Sequence, residues 1–346
     1  MSAVAEQTAR SETDPTVPIL ELRHVSKRFV KRLDLAAKIA NLVGATLRDE
    51  IVQAVDDVSL TVADGEVVGL VGESGCGKST LGRVVAGVHP ATTGTVHFRD
   101  REVTSLRGPE ARDAALKIQM IFQDPMSSLN PRMRVKDIVG EAAVVHGLVD
   151  AKGVDDYVAQ TLMRVGLDPV YMRRYPHQFS GGQRQRIGIA RALAVQPDFL
   201  VCDESVAALD VSIQAQVLNL FMKLREELNL TYLFISHDLG VVEHLSDRVV
   251  IMYLGRVVET APTEALFDAP NHPYTQALLA EIPRLDSRKR RFVPVKGEIP
   301  SPLDPPTGCH FHPRCPHATA RCAAEQPVLR EIAPGRWSAC HLNDAG

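Results

Sequence analysis

Short runs of apolar residues alternate with amphipathic stretches along most of the chain. Unbroken apolar runs of about 4–8 residues are typical of strands buried on both faces, and five stand out: EVVGLV (66–71), IQMIF (118–122), DFLVC (198–202), YLFIS (232–236) and RVVIMYL (248–254). Residues 211–227 instead place Ile213, Val217, Phe221 and Leu224 at helical spacing, which predicts an amphipathic helix that covers a sheet. The alternation predicts an α/β fold with a mixed, mainly parallel sheet.

The same pattern divides the chain into regions. Between residues 126 and 197 the strand pattern stops and helical patterns such as KDIVGEAAVV take over, which predicts a helical subdomain inserted into the sheet domain. We expect the polar residues 1–18 to form a disordered tail and residues 19–282 to form the main domain. From residue 283 the chain becomes rich in Pro and Cys, so residues 283–346 are predicted to form a small, separate C-terminal appendage.

An insertion at residues 30–51 separates the first two strands. Leu35, Ile39 and Leu42 fall on one helical face, and three basic residues lie beside them. We interpret the segment as a short packed or frayed helix. Contact with lipid headgroups or with a membrane subunit is the alternative.

Composition and charge exclude some classes of protein. The 346 residues are 45% hydrophobic and 23% charged, as in ordinary soluble proteins, and the net charge of -3 gives no reason to expect a nucleic-acid partner. No stretch approaches the ~20 apolar residues that cross a bilayer, and the N-terminus has no apolar signal core. We therefore expect a cytosolic chain with reduced thiols, in which the six cysteines do not indicate disulfides.

Residues 67–80, VVGLVGESGCGKST, combine an apolar strand, a glycine-rich loop and the start of a helix. The glycines let backbone N–H groups converge on phosphate oxygens, and Lys78 brings a cation to the β- and γ-phosphates. The Ser79 hydroxyl can bind Mg²⁺, and the positive end of the helix faces the same anion. The pattern predicts a P-loop that binds the phosphates of a nucleotide through Gly72, Glu73, Ser74, Gly75, Cys76, Gly77, Lys78, Ser79 and Thr80.

A second strand end supplies the acidic groups that this chemistry needs. Asp203 and Glu204 follow the run DFLVC directly. Because successive strand residues point to opposite faces, the two carboxylates can take different roles. We expect Asp203 to hold the Mg²⁺ shell and Glu204 to polarise the water that attacks the γ-phosphate.

The segment FSGGQRQR (179–186) narrows the class of nucleotide hydrolase. It places a hydroxyl and two glycines before a helix, which is another arrangement suited to an anion. With the phosphate loop before it and the acidic strand after it, the chain resembles the ATP-binding-cassette (ABC) family. The residues that match the family signature are Ser180, Gly181, Gly182 and Gln183.

The resemblance implies roles for four further residues. Gln123, in IFQDP, would reach Mg²⁺ and the attacking water, and His237, in FISHD, would contact the γ-phosphate. Asp210 would lie in a loop at the interface of a head-to-tail dimer, in which the Ser180 loop of one subunit faces the ATP of the other. Phe29 is expected to stack on adenine, although a place in the core is the alternative.

Two positions depart from the family pattern. Ser205 stands where the family has proline, and Ala207 stands where it has serine. Neither change touches the carboxylates, so hydrolysis is still expected.

Longer strings point to one branch of the family. YPHQFSGGQRQRI, ALDVSIQAQVLNL, MYLGRVVE and NHPYTQALL are similar to the ATPases of dipeptide/oligopeptide permeases, and to the second of their two paralogues above all. The resemblance implies a peptide importer at the cytoplasmic face of the inner membrane. Its partners would be a paralogous ATPase, two membrane permease subunits and an extracytoplasmic substrate-binding protein. Importers of nickel, glutathione or opines share these strings, so the cargo stays open.

Four cysteines, Cys309, Cys315, Cys322 and Cys340, crowd into the last part of the chain. Their spacing matches neither common zinc sites nor ferredoxins, so it predicts only a soft-metal site. Four unrelated buried thiols are the alternative, and nearby histidines make zinc a second metal to consider. The resemblance implies that the four thiolates hold a [4Fe–4S] cluster.

Two other classes of function compete with transport. Cassette ATPases that act on DNA carry long coiled-coil insertions, and ribosomal ones carry two cassettes in one chain. The stretch between Gln123 and Ser180 is too short for the first, and there is no second phosphate loop. A redox or metal sensor, in which the cysteine site is primary, is the remaining alternative.

Overall fold

The structure is a computed structural model that describes residues 17–33, 41, 49–207, 209–281 and 297–344. Within these residues the strands form two sheets. In chain order they are β1 (Leu20–Lys31), β2 (Glu50–Val62), β3 (Val67–Val71), β4 (Thr93–Phe98), β5 (Arg101–Glu102), β6 (Ile118–Ile121), β7 (Phe199–Asp203), β8 (Thr231–Ile235), β9 (Arg248–Tyr253), β10 (Arg256–Pro262), β11 (Arg330–Ala333) and β12 (Arg336–Ser338).

Helices connect these strands and cover the sheets. They are α1 (Lys78–Val85), α2 (Gly108–Lys117), α3 (Pro125–Ser128), α4 (Val135–Val145), α5 (Val154–Arg164), α6 (Gly181–Leu193), α7 (Val211–Leu228), α8 (Leu239–Leu245), α9 (Thr263–Asp268), α10 (Pro273–Ala280) and α11 (Ala320–Ala324). Short 3-10 turns lie at Pro169–Arg173, Pro176–Gln178, His312–Arg314 and His341–Asp344. No helix in these ranges combines the length and the apolar content needed to cross a bilayer.

The larger sheet has the strand order β11-β12-β10-β9-β3-β8-β7-β6, and its five strands from β9 to β6 are parallel. Strands β3, β7 and β8 are buried along their whole length, which explains their unbroken apolar sequences. The predicted mixed, mainly parallel sheet is therefore confirmed. Helix α1 packs on this sheet so closely that a Cβ added at Gly82 would lie 2.6 Å from Ile235 Cδ1.

The smaller sheet is antiparallel, in the order β2-β1-β4-β5. Its first hairpin pairs Lys31 with Glu50, so both ends of the predicted insertion at 30–51 belong to strands. This corrects the expected boundaries, because the cross-strand ladder continues further than the apolar pattern indicated. The helix predicted around Leu35, Ile39 and Leu42 lies outside the described residues, as does the predicted tail except for its last two residues.

Helices α3 to α6 fill the stretch between β6 and β7, as the loss of the strand pattern predicted. Val139, Leu162 and Ile187, from three of these helices, are fully buried in one cluster with Phe221 of α7. The predicted cover helix is thus present, and its apolar face joins the helical region to the sheet.

The C-terminal segment is not a separate unit, in contrast to the expectation from its composition. Strand β12 pairs antiparallel with β10, with Thr260 opposite Trp337, and β11 adds a further strand at the edge. Phe311 of this segment is fully buried against Tyr253 and Tyr274. The cysteine-rich segment therefore extends the sheet that carries the phosphate loop.

Candidate functional site

The glycine-rich loop connects β3 to α1 and takes a shape that its glycines make accessible. Gly75 and Gly77 have φ angles of 79° and 105°, which residues with a Cβ rarely adopt. At Gly77 space is a second constraint, because an added Cβ would lie 2.0 Å from the carbonyl oxygen of Ala54. The loop is therefore held in a narrow gap beside β2.

We predict that Gly77→Ala destabilises the protein by about 3 kcal/mol, since it adds a clash to the strain of a positive φ. Gly75→Ala is the matched control, because it has a similar φ but no atom within 4 Å of the added Cβ, and we expect it to cost only about 1 kcal/mol. Urea denaturation gives both free energies of unfolding. Equal losses would show that the gap beside Ala54 plays no part.

Lys78 lies inside the loop rather than in solvent. It is 4% exposed, and its Nζ donates hydrogen bonds to the carbonyl oxygens of Gly72 (2.7 Å) and Glu73 (2.9 Å). Its ammonium group is thus placed by the same loop whose N–H groups can bind phosphate. Cys76 is buried beside it, and burial raises the pKa of that thiol, so Cys76 is a small space-filling residue of the loop.

Ser79 and Asp203 bring two hard oxygen donors together. The Ser79 hydroxyl donates a 2.7 Å hydrogen bond to Oδ1 of Asp203, which ends the buried strand β7. Burial raises the pKa of the Asp203 carboxyl, and the bond from Ser79 partly opposes this. A hydroxyl and a carboxylate in contact at the end of a phosphate loop suit Mg²⁺, which prefers oxygen ligands.

Glu204 lies between side chains from the two neighbouring strand ends. Its Oε2 accepts a 2.8 Å hydrogen bond from Nε2 of Gln123, which follows β6, and lies 3.4 Å from Nδ1 of His237, which follows β8. Its own backbone has a positive φ of 46°, and its N–H donates to the Ile235 carbonyl oxygen at 2.9 Å. Because the carboxyl ends of parallel strands form the usual ligand-binding edge of such sheets, all three predicted hydrolysis residues meet at one place.

The signature residues form the first turn of α6. The Ser180 hydroxyl accepts a hydrogen bond from the Gln183 N–H (3.3 Å), and the Gln183 side chain accepts one from the Ser180 N–H (3.1 Å). This capping box explains why the helix begins here. A Cβ added at Gly182 would lie 2.4 Å from Cγ2 of Ile213, so the signature loop packs directly on α7. Asp210 immediately precedes α7 and is exposed.

Phe29 lies near the end of β1 and is 39% exposed. It is therefore not a core residue. Its ring makes a T-shaped contact with that of His89, with 5.6 Å between centroids, and Nζ of Lys27 lies 5.1 Å from its centre. An exposed aromatic face of this kind is able to stack on a base.

The two departures from the family pattern have different surroundings. Ser205 is buried, and its hydroxyl has no hydrogen-bond partner within the described ranges. Ala207 is exposed. The first change places an unpaired hydroxyl directly after Glu204, whereas the second affects only the surface.

Two residues at the phosphate loop were missed by the sequence analysis. Arg314 donates two hydrogen bonds to the Glu73 carboxylate, at 2.7 and 2.8 Å, and the hydroxyl of Tyr274 accepts one from the Glu73 N–H at 2.9 Å. Arg314 directly precedes Cys315, one of the four cysteines of the predicted soft-metal site, and Tyr274 lies in NHPYTQALL, which resembles the permease ATPases. Neither feature carries a sign that it reaches the phosphate loop.

The four C-terminal cysteines gather in one region. The Cys309 N–H donates to the Cys322 carbonyl oxygen at 2.8 Å. Burial and the other three thiols raise the pKa of Cys309 to about 11, and burial also raises the pKa of Cys315 and Cys340. No set of three or more His, Cys, Asp or Glu side chains in the described ranges is close enough to hold a metal ion.

This geometry defines a phosphate-loop ATPase of the cassette type. Residues 55–207 match the family described as "ABC transporter", and residues 258–322 match "Oligopeptide/dipeptide transporter, C-terminal region". The chain is 49% identical over 328 residues to the oligopeptide transport ATP-binding protein AppF of Bacillus subtilis, covering 94% of this chain and 97% of that protein. It is 51% identical to the putative oligopeptide transport ATP-binding protein YkfD of the same organism, covering 84% of this chain and 90% of that protein.

Solved structures agree on the fold. The dimeric ATP-binding cassette MJ0796 bound to ADP and phosphate superposes with a TM-score of 0.60 at 26% identity, covering 70% of this chain and 98% of that chain. The cassette cbiO1 of Clostridium perfringens gives the same TM-score at 24% identity, covering 73% of this chain and 91% of that chain. The chain belongs to the ATP-binding subunits of ABC transporters, in the branch with the oligopeptide/dipeptide C-terminal region.

Proposed function

We propose that this chain hydrolyses ATP to energise an importer of dipeptides or oligopeptides, as the second type of the two paralogous ATPase subunits. The observation that carries the proposal is Glu204, which lies between Gln123 and His237 and directly follows Asp203, the partner of Ser79 in the phosphate loop. Such a placement suits a group that accepts a proton from water at the γ-phosphate. The peptide cargo is inferred from relatives named for oligopeptide transport, which match nearly the whole chain.

The proposed mechanism assigns each group a task. The loop N–H groups and Lys78 bind the phosphates, while Ser79 and Asp203 would hold Mg²⁺, which would neutralise phosphate charge. Glu204 takes the proton from the attacking water, and Gln123 and His237 fix the direction of its carboxylate. Phe29 offers a ring face to adenine.

We further propose that the active unit is a head-to-tail pair with a paralogous ATPase. Each Ser180 loop would then face the ATP of the other subunit, with Asp210 close to the interface. ATP closes the pair and hydrolysis reopens it, which turns chemistry into motion. The pair would act on two membrane permease subunits at the cytoplasmic face of the inner membrane, supplied by a substrate-binding protein outside.

The cargo is tested with the complete transporter in vesicles. Peptides of two to five residues, delivered by the binding protein, should stimulate ATP hydrolysis and accumulate inside. Stimulation by nickel, glutathione or opines but not by peptides would assign the same machinery to another cargo. Hydrolysis that no permease or solute affects would favour a cassette ATPase outside transport.

For the cysteine-rich segment we propose a [4Fe–4S] cluster held by Cys309, Cys315, Cys322 and Cys340. Four thiols from neighbouring turns are the donor set that such clusters use, and the Cys309–Cys322 hydrogen bond already joins two of these turns. The thiols would have to draw closer to bind it, so binding and local ordering would be coupled. Zinc, with His310, His312 or His341 as an additional ligand, is the alternative.

We expect protein purified without oxygen to be brown and to carry about four irons per chain, as four-cysteine ligation of this cluster implies. Replacing any one of the four cysteines by serine should remove the colour and the iron. Cys202→Ala is the control, since Cys202 lies in the buried strand β7 and should keep both. If the anaerobically purified protein is colourless and carries one zinc per chain, the site holds zinc and not the cluster. If it carries no metal, both proposals are wrong.

A further inference from the structure

Glu73 is a carboxylate inside the loop that must bind polyanionic phosphate. A negative charge at this position opposes ATP binding unless a cation compensates it, because charges interact strongly where water is partly excluded. Nζ of Lys78 donates to backbone carbonyl oxygens of the loop rather than to the Glu73 carboxylate, and in the proposed mechanism its charge serves the phosphates. The compensating cation is Arg314, through two parallel hydrogen bonds of 2.7 and 2.8 Å.

The residues around Arg314 hold its side chain in place. It is 8% exposed, and its guanidinium lies 5.9 Å from the ring centres of both Tyr253 and Phe311. Tyr253, Tyr274 and Phe311 pack on one another with centroids 4.7 to 5.3 Å apart. The two-point geometry and the aromatic support fix the direction of the guanidinium. An exposed, mobile ion pair would not do this.

The backbone of Glu73 is held from the same side. Its N–H donates a hydrogen bond to the Tyr274 hydroxyl. The ring of Tyr274 also packs on the ring of Phe311. Side chain and main chain at the beginning of the phosphate loop are therefore both attached to the region that follows β9. Arg314 lies between Cys309 and Cys315 in the chain, so the cysteine-rich segment supplies part of the phosphate site.

We propose that Arg314 is a positioning residue of the ATP site, which neutralises Glu73 and holds its carboxylate so that it does not oppose the phosphates. The folded state of the cysteine-rich segment then sets the affinity for ATP. This inference depends on ATP binding alone and goes beyond the proposed function, because it holds for any cargo and for any occupant of the cysteine site.

The test combines Arg314→Gln, Glu73→Gln and the double variant in the full-length chain. ATP affinity is measured by titration with a fluorescent ATP analogue, and KM and kcat are measured in the assembled transporter. Arg314→Gln should weaken ATP binding and raise KM about tenfold, with kcat within about twofold, because it leaves an unpaired carboxylate beside the phosphates. The loss should shrink as salt is raised from about 0.05 to 0.5 M, since salt screens the repulsion.

The double variant distinguishes charge compensation from a general loss of structure. Once Glu73 is neutral, removing Arg314 should matter little, so the double variant should bind ATP within about threefold of Glu73→Gln alone. Arg314→Lys keeps the charge but not the two-point geometry, and it should lie between wild type and Arg314→Gln.

Arg321→Gln is the matched control. It removes an arginine of the same segment whose partners, Glu325 and Asp344, lie within that segment, and it should leave ATP affinity unchanged. The proposal is wrong if Arg314→Gln binds ATP like the wild type, or if the double variant is as weak as Arg314→Gln. It is also wrong if Arg321→Gln is equally weak. If Arg314→Gln does not fold, Arg314→Lys and the Glu73 variant provide the same comparison.

Discussion

Glu204→Gln is expected to lower the rate of ATP hydrolysis by about 10²–10⁴-fold and to leave ATP binding intact. The amide has the shape of the carboxylate but cannot accept a proton from the attacking water. It can still bond to Gln123, so the arrangement at the ends of β6 and β7 should survive. Phosphate release and analogue titration on the same preparation measure the two effects.

The Glu204→Gln variant should also accumulate an ATP-bound pair with its partner subunit, because a bound ATP that is not cleaved keeps the interface closed. Glu243→Gln is the control, since Glu243 is exposed on α8 and the same chemical change there should alter neither rate nor assembly. Wild-type turnover by Glu204→Gln would remove Glu204 from the proton-accepting role.

The arrangement around Glu204 could be predicted because the order of parallel strands determines it. Register pairs Ile121 with Cys202 and Cys202 with Phe234, so residues that follow these three strands end on one edge of the sheet. Apolar runs identified the strands, and Asp203 and Glu204 were predicted from their position after one of these runs, whereas the roles of Gln123 and His237 came from the resemblance to the ABC family. Strand pattern and family resemblance together were therefore enough to predict that Gln123, Glu204 and His237 meet at one site.

The contact between Arg314 and Glu73 could not be predicted in this way. The two residues are 241 positions apart, and no periodicity joins them. Their meeting depends on β12 pairing with β10 and on Phe311 entering the aromatic core. The Pro-rich composition of this segment favoured a separate appendage. Composition describes how a segment behaves alone, whereas here the edge of an existing sheet provides its partner.

The positive φ of Glu204 could not be predicted from the sequence either. Non-glycine residues rarely adopt this conformation, and it persists only where surrounding contacts enforce it. The enforcing contact is the hydrogen bond from the Glu204 N–H to the Ile235 carbonyl oxygen of β8. Sequence indicated only that Ser205 replaces a proline at the next position, without showing that its hydroxyl would be buried.

Ser180→Arg is expected to reduce hydrolysis by the assembled pair at least about 10²-fold, which is the typical loss when a donor to a reacting anion is removed. ATP binding to the isolated subunit should stay within about twofold of wild type. The reason is the location of Ser180, which begins α6 in the helical region and bonds within its own turn. The phosphate loop of the same chain is a different segment, which follows β3.

Two further substitutions separate the interface from the helix cap. Ser180→Asp should keep the cap, since aspartate is as good as serine at this position, yet it places a negative charge toward the partner's phosphates and should also abolish hydrolysis. Ser180→Thr keeps both the hydroxyl and the cap and should retain most activity. Ser105→Arg controls for an added arginine, because Ser105 is an exposed serine before α2.

Mixing the Ser180→Arg subunit with a wild-type partner identifies which ATP is affected. In a head-to-tail pair the variant loop faces the partner's nucleotide, so the partner's site should lose hydrolysis while the variant subunit still binds its own ATP. Site-specific photolabelling with an azido-ATP distinguishes the two nucleotides. A parallel fall of ATP binding and activity in the isolated Ser180→Arg subunit would place Ser180 at the ATP of its own chain and would contradict the interfacial arrangement.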